Sequence, residues 1–223
     1  MKIQLCRSSI TFLKSHFVFQ EMEFAYISVD VETSGAVPGM YSLLSIGACL
    51  VGDREQQFYR ELQPINHHFD TDAMRVGCLG LRCLDKLKIN PRYDPTHDIF
   101  SPKAVLELLD EKGTYPRTVM TEFNDWVMQA AGRKEPMLVT DVQPFDGSFI
   151  NWYFARFLPD QKNPFGHKGL NIDVLYRGLR GDITARLSDL GLEDDRKTPH
   201  NALDDAVFQA RLAEKVFELM EKI

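Results

Sequence analysis

The sequence predicts an α/β fold, a mixed five-stranded sheet flanked by helices. Three observations lead there. Three segments rich in β-branched and aromatic residues follow one another closely near the start. Helical periodicity then alternates with short apolar runs. The chain closes on a long amphipathic stretch. At 223 residues, with 44% hydrophobic and 26% charged residues, it has the length and composition of one ordinary globular domain with a substantial core.

The first strand is Phe24–Glu32, FAYISVDVE, with Ala25, Ile27, Val29 and Val31 on one face and Phe24, Tyr26, Ser28, Asp30 and Glu32 on the other. Ser34-Gly35 and Pro38-Gly39 then mark a loop. Strands fit Ser42–Val51 and Glu55–Leu62, with a hairpin turn at Gly52-Asp53, so the three form an antiparallel meander. Asp70–Lys88 reads as mostly helical with a break at Gly77 or Gly80, and the Pro-rich stretch Asn90–Pro102 as a long surface loop. Helices follow at Pro102–Lys112 and Pro116–Ala131, the latter carrying Val119, Phe123, Trp126 or Val127, and Ala130 on one face. Met137–Val142 is a fourth strand, Phe145–Leu158 an aromatic-rich helix and Leu170–Ile172 a fifth strand. Short helices fit Val174–Arg180 and Thr184–Leu190, and a last helix fits Ala202 to Glu221.

Residues 1–21 stand apart. Lys14 and His16 interrupt their apolar stretch, which argues against a secretory core, and Met22 precedes the first convincing strand. The expected division is a dispensable extension at 1–21 and a single domain at 22–223. Cys6, Cys49, Cys78 and Cys83 form no C-x-x-C pair, so reduced thiols in a reducing, cytoplasmic compartment are expected. No apolar run reaches membrane-spanning length.

The net charge of −6 argues against a protein that tracks a long duplex, since such proteins neutralise many phosphates. It leaves room for one that grips a few terminal nucleotides while metal ions supply positive charge. The pair His67-His68 lacks metal-ligand spacing and reads as surface. The basic residues from Arg177 to Lys197 alternate with acids and make no patch along the sequence.

Three segments could carry chemistry. Asp30-Val31-Glu32 ends a strand, and period-two geometry puts both carboxylates on one face, roughly 7 Å apart at Cα. They repel unless a hard cation sits between them; the bland alternative is a solvated strand end. In Pro199-His200-Asn201-Ala202-Leu203-Asp204-Asp205-Ala206, Asn201 suits an N-cap. Asp205 flanks the apolar stripe of Leu203, Ala206, Ala210, Ala213 and Phe217, whereas Asp204 points away from it. His200 is left on the loop, free to reach across a site; a capped helix with a satisfied loop histidine is the bland alternative. Asp146 follows a buried-looking strand at a helix start, where it could act or merely cap. Phe149, Trp152, Tyr153 and Phe157 read as core.

Together these segments resemble the DEDDh exonucleases. Asp30-Val31-Glu32-Thr33-Ser34-Gly35 looks like the family's D-x-E-T-T-G motif, with Ser34 in place of the commoner threonine. Phe145-Asp146 with Phe149 is similar to its second motif, and His200 through Asp205 matches its H-x-x-x-x-D, whose spacing selects Asp205 over Asp204. The resemblance spans roughly Phe24 to Leu219; the loop Asn90–Pro102 and residues 1–21 have no counterpart in it. It implies an RNase H-like fold and a 3′–5′ exonuclease that releases 5′-mononucleotides from the 3′ ends of single-stranded DNA or RNA. It further implies two divalent cations, Mg²⁺ or Mn²⁺. Asp30, Glu32 and Asp205 would hold the first, Asp30 would bridge to the second, and Asp146 would support the second. His200 would deprotonate the attacking water, a role an imidazole suits near neutral pH, and the backbone around Thr33 would contact the 3′-terminal nucleotide. A homodimer is one assembly the resemblance allows. The alternative from another class is a catalytically silent exonuclease fold kept as an adaptor, against which all five catalytic side chains stand.

Overall fold

The computed structural model describes residues 24–221; the expectations on residues 1–21 and Cys6 lie outside them. Strands β1 (Phe24–Thr33), β2 (Leu43–Leu50) and β3 (Asp53–Glu61) form the expected antiparallel meander. Helices α1 (Thr71–Gly77), α2 (Pro102–Lys112) and α3 (Pro116–Ala131) lead to β4 (Glu135–Thr140). Helix α4 (Gln143–Phe157), β5 (Gly169–Asn171), α5 (Ile172–Arg180) and α6 (Ala202–Met220) complete the order. The sheet runs β3-β2-β1-β4-β5, with β4 parallel to β1 and β5 parallel to β4.

β1 is central and covered on both sides, so both its faces are largely buried. Ile27, Val29 and Val31 pack with Val119, Phe123, Phe149, Tyr153 and Phe154 of α3 and α4. The aromatic residues of α4 are thus mostly core, and Tyr153 uses its hydroxyl oxygen to accept from the Leu43 amide at 2.7 Å. The opposite face carries α6 at very close range. The Ser28 hydroxyl donates to the Ala206 carbonyl at 2.7 Å, and a Cβ at Gly47 would overlap the Ala202–Leu203 backbone. Only glycine lets the start of this helix lie on β2, and that contact delivers Asp205 to the strand that carries Asp30 and Glu32. The edge strand β3 is mostly exposed and charged, which suits an edge that must not recruit another chain.

Two expectations change. Asp70–Lys88 is not one broken helix: α1 stops at Gly77, and only a 3₁₀ turn at Arg82–Leu84 follows. At Gly77 the backbone presses on β1, where a Cβ would come within 2.9 Å of the Thr33 carbonyl oxygen. Leu81 and Leu84 are still buried, so the apolar pattern that suggests a helix is satisfied by turns. Thr184–Leu190 is helical only as a 3₁₀ turn at Leu187–Leu190. Upstream of it Asp182 accepts from the amide and hydroxyl of Thr184 at 2.8 and 2.7 Å, a local bond that competes with helix. The loop Asn90–Pro102 contains a 3₁₀ turn at Pro91–Tyr93 and is tied down by Arg75, which donates to the carbonyls of Pro95 and His97.

β1 and β4 pair only as far as Ser28 and Val139, and their carboxyl ends then part. A crevice at such a parting is where open α/β sheets place their ligands. Gln209 of α6 fills its base, donating to Ser28 Oγ at 2.8 Å and to the carbonyls of Val29 and Val139 at 3.2 and 3.0 Å. Its side-chain oxygen accepts from the Asp141 amide at 2.7 Å. Gln209→Leu leaves these buried partners unpaired and is expected to cost roughly 3 kcal/mol. That corresponds to a Tm lower by about 6–12 °C, measurable by differential scanning calorimetry; a shift below ~2 °C would show that the crevice does not depend on this side chain.

Candidate active site

The crevice opens into a cavity of about 400 Å³ lined by Asp30, Glu32, Asp141, Phe145, Asp146, Arg196, His200, Asp205 and Gln209, among others. Each of the five side chains expected to act together is therefore in one wall. Asp30 and Glu32 come from the end of β1, facing α6 as period two requires. Asp146 lies in the first turn of α4, whose N-cap, Val142, makes no side-chain cap bond; Asp146 itself is buried and is not the cap. His200 and Asp205 flank the start of α6, whose cap is Asn201, with its side-chain oxygen accepting from Leu203 and Asp204.

Glu32, His200 and Asp205 offer ligand atoms that all lie within 4.8 Å of one another. Asp205 is held on both oxygens. The Arg196 guanidinium donates to one at 2.8 Å and the His200 amide to the other at 3.0 Å. Its neighbour Asp204 points elsewhere, accepting from the Thr198 amide at 2.9 Å. Thr33 is buried beside the site, with its hydroxyl turned onto the Gly35 carbonyl at 2.8 Å, so what it can offer a ligand is backbone.

The electrostatics follow from the crowding. Burial pushes the Asp30 carboxyl well above the usual range, and Asp146, Glu32, Asp205 and Asp141 push it further. Burial and then Asp205 and Asp146 raise Glu32 likewise. Asp146 is raised to about 8 by burial and by Asp141, against the pull of the Asp146 and Val31 backbone amides. Burial raises Asp205 too, although Arg196 and His200 oppose it. A buried set of carboxyl oxygens that repel one another, with one imidazole at the edge, fits a hard divalent cation, which prefers oxygen ligands and supplies the missing charge.

A pH dependence with a definite sign follows. These carboxyl groups bind protons more tightly folded than unfolded, so their stabilisation is complete below their ordinary pKa near ~4. It is lost as pH rises through the raised values, the one at Asp146 being about 8. In EDTA the Tm is expected to fall between pH 5.5 and pH 8.5, and saturating Mg²⁺ is expected to abolish most of that fall, because metal and proton compete for the same oxygens. Thermal denaturation in both buffers checks this; parallel curves with and without Mg²⁺ would rule it out.

Other residues in the wall escaped sequence reasoning. Asp141 follows directly on β4, and a carboxylate at the carboxyl end of a buried strand was a usable signal. Gln209 sits three residues after Ala206 and four before Ala213, a polar residue at an apolar-stripe position. Arg196 was hidden among alternating charges that the fold alone separates; it bonds both Asp205 and Asp194. His67 is a surface residue paired with Asp110 at 2.6 Å. The described cysteines, Cys49, Cys78 and Cys83, are free thiols, with Cys49 raised to about 12 by burial. Among the described residues no helix is long and apolar enough to cross a membrane.

No family profile matches the chain. An Escherichia coli protein named 3′–5′ DNA exonuclease Cap18 is 34% identical over 202 residues, spanning 88% of this chain and 94% of its own. The nuclease domain of 3′hExo, a DEDDh family member solved with rAMP, superposes with a TM-score of 0.62 at 18% identity, over 90% of this chain and 94% of that one. Escherichia coli exonuclease I bound to a dA16 oligonucleotide superposes with a TM-score of 0.58 at 13% identity. That match covers 89% of this chain but only 42% of exonuclease I. The two structures share the RNase H-like fold, the curated relative shares the sequence across nearly its whole length, and the chain belongs to the DEDDh 3′–5′ exonucleases.

Proposed function

We propose that residues 22–223 form one exonuclease unit that removes 5′-mononucleotides from the 3′ ends of single-stranded nucleic acid in the cytoplasm, with two Mg²⁺ or Mn²⁺ ions held by Asp30, Glu32, Asp146 and Asp205. The observation that carries this reading is the meeting of Glu32, His200 and Asp205 within 4.8 Å in the cavity that Asp30 and Asp146 also line. When bound, the cations stabilise charge on the attacking and leaving oxygens of an in-line displacement. His200 takes the proton of the attacking water as its oxygen bonds to phosphorus. The bond from phosphorus to the penultimate nucleotide's O3′ breaks, freeing the terminal nucleotide with its 5′-phosphate, and the leaving O3′ takes a proton from solvent to become the new 3′-hydroxyl. The Thr33 backbone contacts the terminal nucleotide. Arg196 and the His200 amide hold Asp205 in register with Glu32.

The name of the Escherichia coli relative favours DNA as the polymer. The net charge of −6 favours a footprint of few nucleotides. The test uses 5′-labelled single-stranded DNA and RNA with Mg²⁺ or Mn²⁺, and with EDTA. A ladder that shortens from the 3′ end and disappears in EDTA is the expected result. No turnover on either polymer, down to dinucleotides, would favour the silent adaptor instead.

A further inference from the structure

Three features of the chain coincide behind His200. Among the described residues it is the one non-glycine residue with a positive φ, +62°, a left-handed backbone that an L-residue adopts only when its surroundings hold it there. Gly80 lies directly against this backbone. A Cβ on Gly80 would overlap the carbonyl of His200 and the nitrogen of Asn201. Asn201 closes the arrangement. It is 3% exposed, and its side-chain NH₂ donates to the Gly80 carbonyl at 2.6 Å while its oxygen caps α6. The cap alone would be served by serine or threonine; capping α6 and reaching Gly80 together need a side chain whose donor and acceptor sit on separate atoms, as the NH₂ and oxygen of the amide do.

We propose that Gly80 and Asn201 are positioning residues for His200: the bare glycine lets the turn after α1 seat against the His200–Asn201 backbone, and the Asn201 amide locks it there, so that the imidazole meets Glu32 and Asp205 at a fixed place. This rests on the proposed role of His200 as the base. The turn from Gly77 to Gly80 touches both sides of the site: Gly80 lies against the His200 backbone, and a Cβ at Gly77 would stand 3.3 Å from the Glu32 carboxylate.

Any side chain at Gly80 must displace the His200 backbone by on the order of 1 Å, a misplacement that can cost about 100-fold in turnover. The test is a set of steady-state measurements on a 5′-labelled oligonucleotide in Mg²⁺, for wild type, Gly80→Ala, Asn201→Ser, His200→Ala and the two doubles with His200→Ala. Asn201→Ser keeps a helix-capping oxygen and gives up only the bond to Gly80, so it serves even where Gly80→Ala folds poorly. Both single variants are expected to lose about 10- to 100-fold in kcat with KM within about threefold. In the His200→Ala background the same changes are expected to cost at least about fivefold less than in wild type, because residues acting through one group are not additive; what loss remains passes through the His200 amide, which also holds Asp205. Equal losses with and without the imidazole, or unchanged kcat in both single variants, would overturn the proposal while His200→Ala remains slow. A His200→Ala enzyme of full speed would instead overturn the role of the base, and this proposal with it.

Discussion

Asp30→Asn is expected to abolish nuclease turnover, by on the order of 10⁴-fold or more, while raising the Tm of the metal-free protein. Both effects have one cause. Asp30 is buried at the point where the field of Asp146, Glu32, Asp205 and Asp141 converges, and its carboxyl is raised well above the usual range. Without a cation, an ionised Asp30 is a liability to the fold, and an amide of the same shape removes it. With a cation, the same charge is what the metal would need, and an amide oxygen is a poor substitute for a carboxylate. Asparagine is preferred to alanine because it keeps the volume and so separates charge from packing. The check is a gel assay of 3′ shortening, together with Tm in EDTA at pH 8. An inactive variant whose metal-free Tm is unchanged or lower would mean that the carboxylates are not in electrostatic conflict.

His200→Ala is expected to lower kcat by about 10²- to 10⁴-fold, the usual worth of a positioned general base. Oligonucleotide affinity should change by less than about threefold, since a general base acts on the attacking water and loses its effect in kcat. The ring stands within 4.8 Å of ligand atoms on Glu32 and Asp205, so the side chain could also act as a metal ligand. The two roles separate by measurement. Loss of a base lowers kcat at saturating Mg²⁺ and leaves the Mg²⁺ midpoint of the Tm shift in place. Loss of a ligand moves that midpoint and is rescued by excess metal. Full turnover in the variant would remove His200 from the chemistry altogether.

Both predictions concern residues that were visible in the sequence, for a physical reason. Asp30 and Glu32 lie two apart on a strand, so their shared face follows from backbone geometry alone. Asp205 was separable from Asp204 because 100° per residue puts one beside the apolar stripe and the other away from it. The three-strand meander was equally legible, because neighbouring strands joined by short turns are local. Elements failed where a tertiary contact or a local side-chain bond overrode periodicity. The apolar residues of Asp70–Lys88 are buried as a helix would bury them, yet Gly77 and Gly80 must sit bare against β1 and the His200 loop. Thr184 gives its amide to Asp182 instead of to a helix.

The sequence by itself determined the fold class and, through the resemblance of its three motifs to the DEDDh exonucleases, the five side chains that meet in the cavity; short-range spacing alone tied Asp30 to Glu32 and separated Asp205 from Asp204. Only the tertiary structure decided what surrounds them. That Gln209 bridges the parted ends of β1 and β4, that Arg196 holds Asp205, and that Gly80 supports the His200 backbone are contacts between residues from 9 to over 180 positions apart. Periodicity reports which way a side chain points; it carries no information about what arrives opposite it. That is settled by how closely α6 can lie on the sheet, and a glycine under its first turn is what allows the approach.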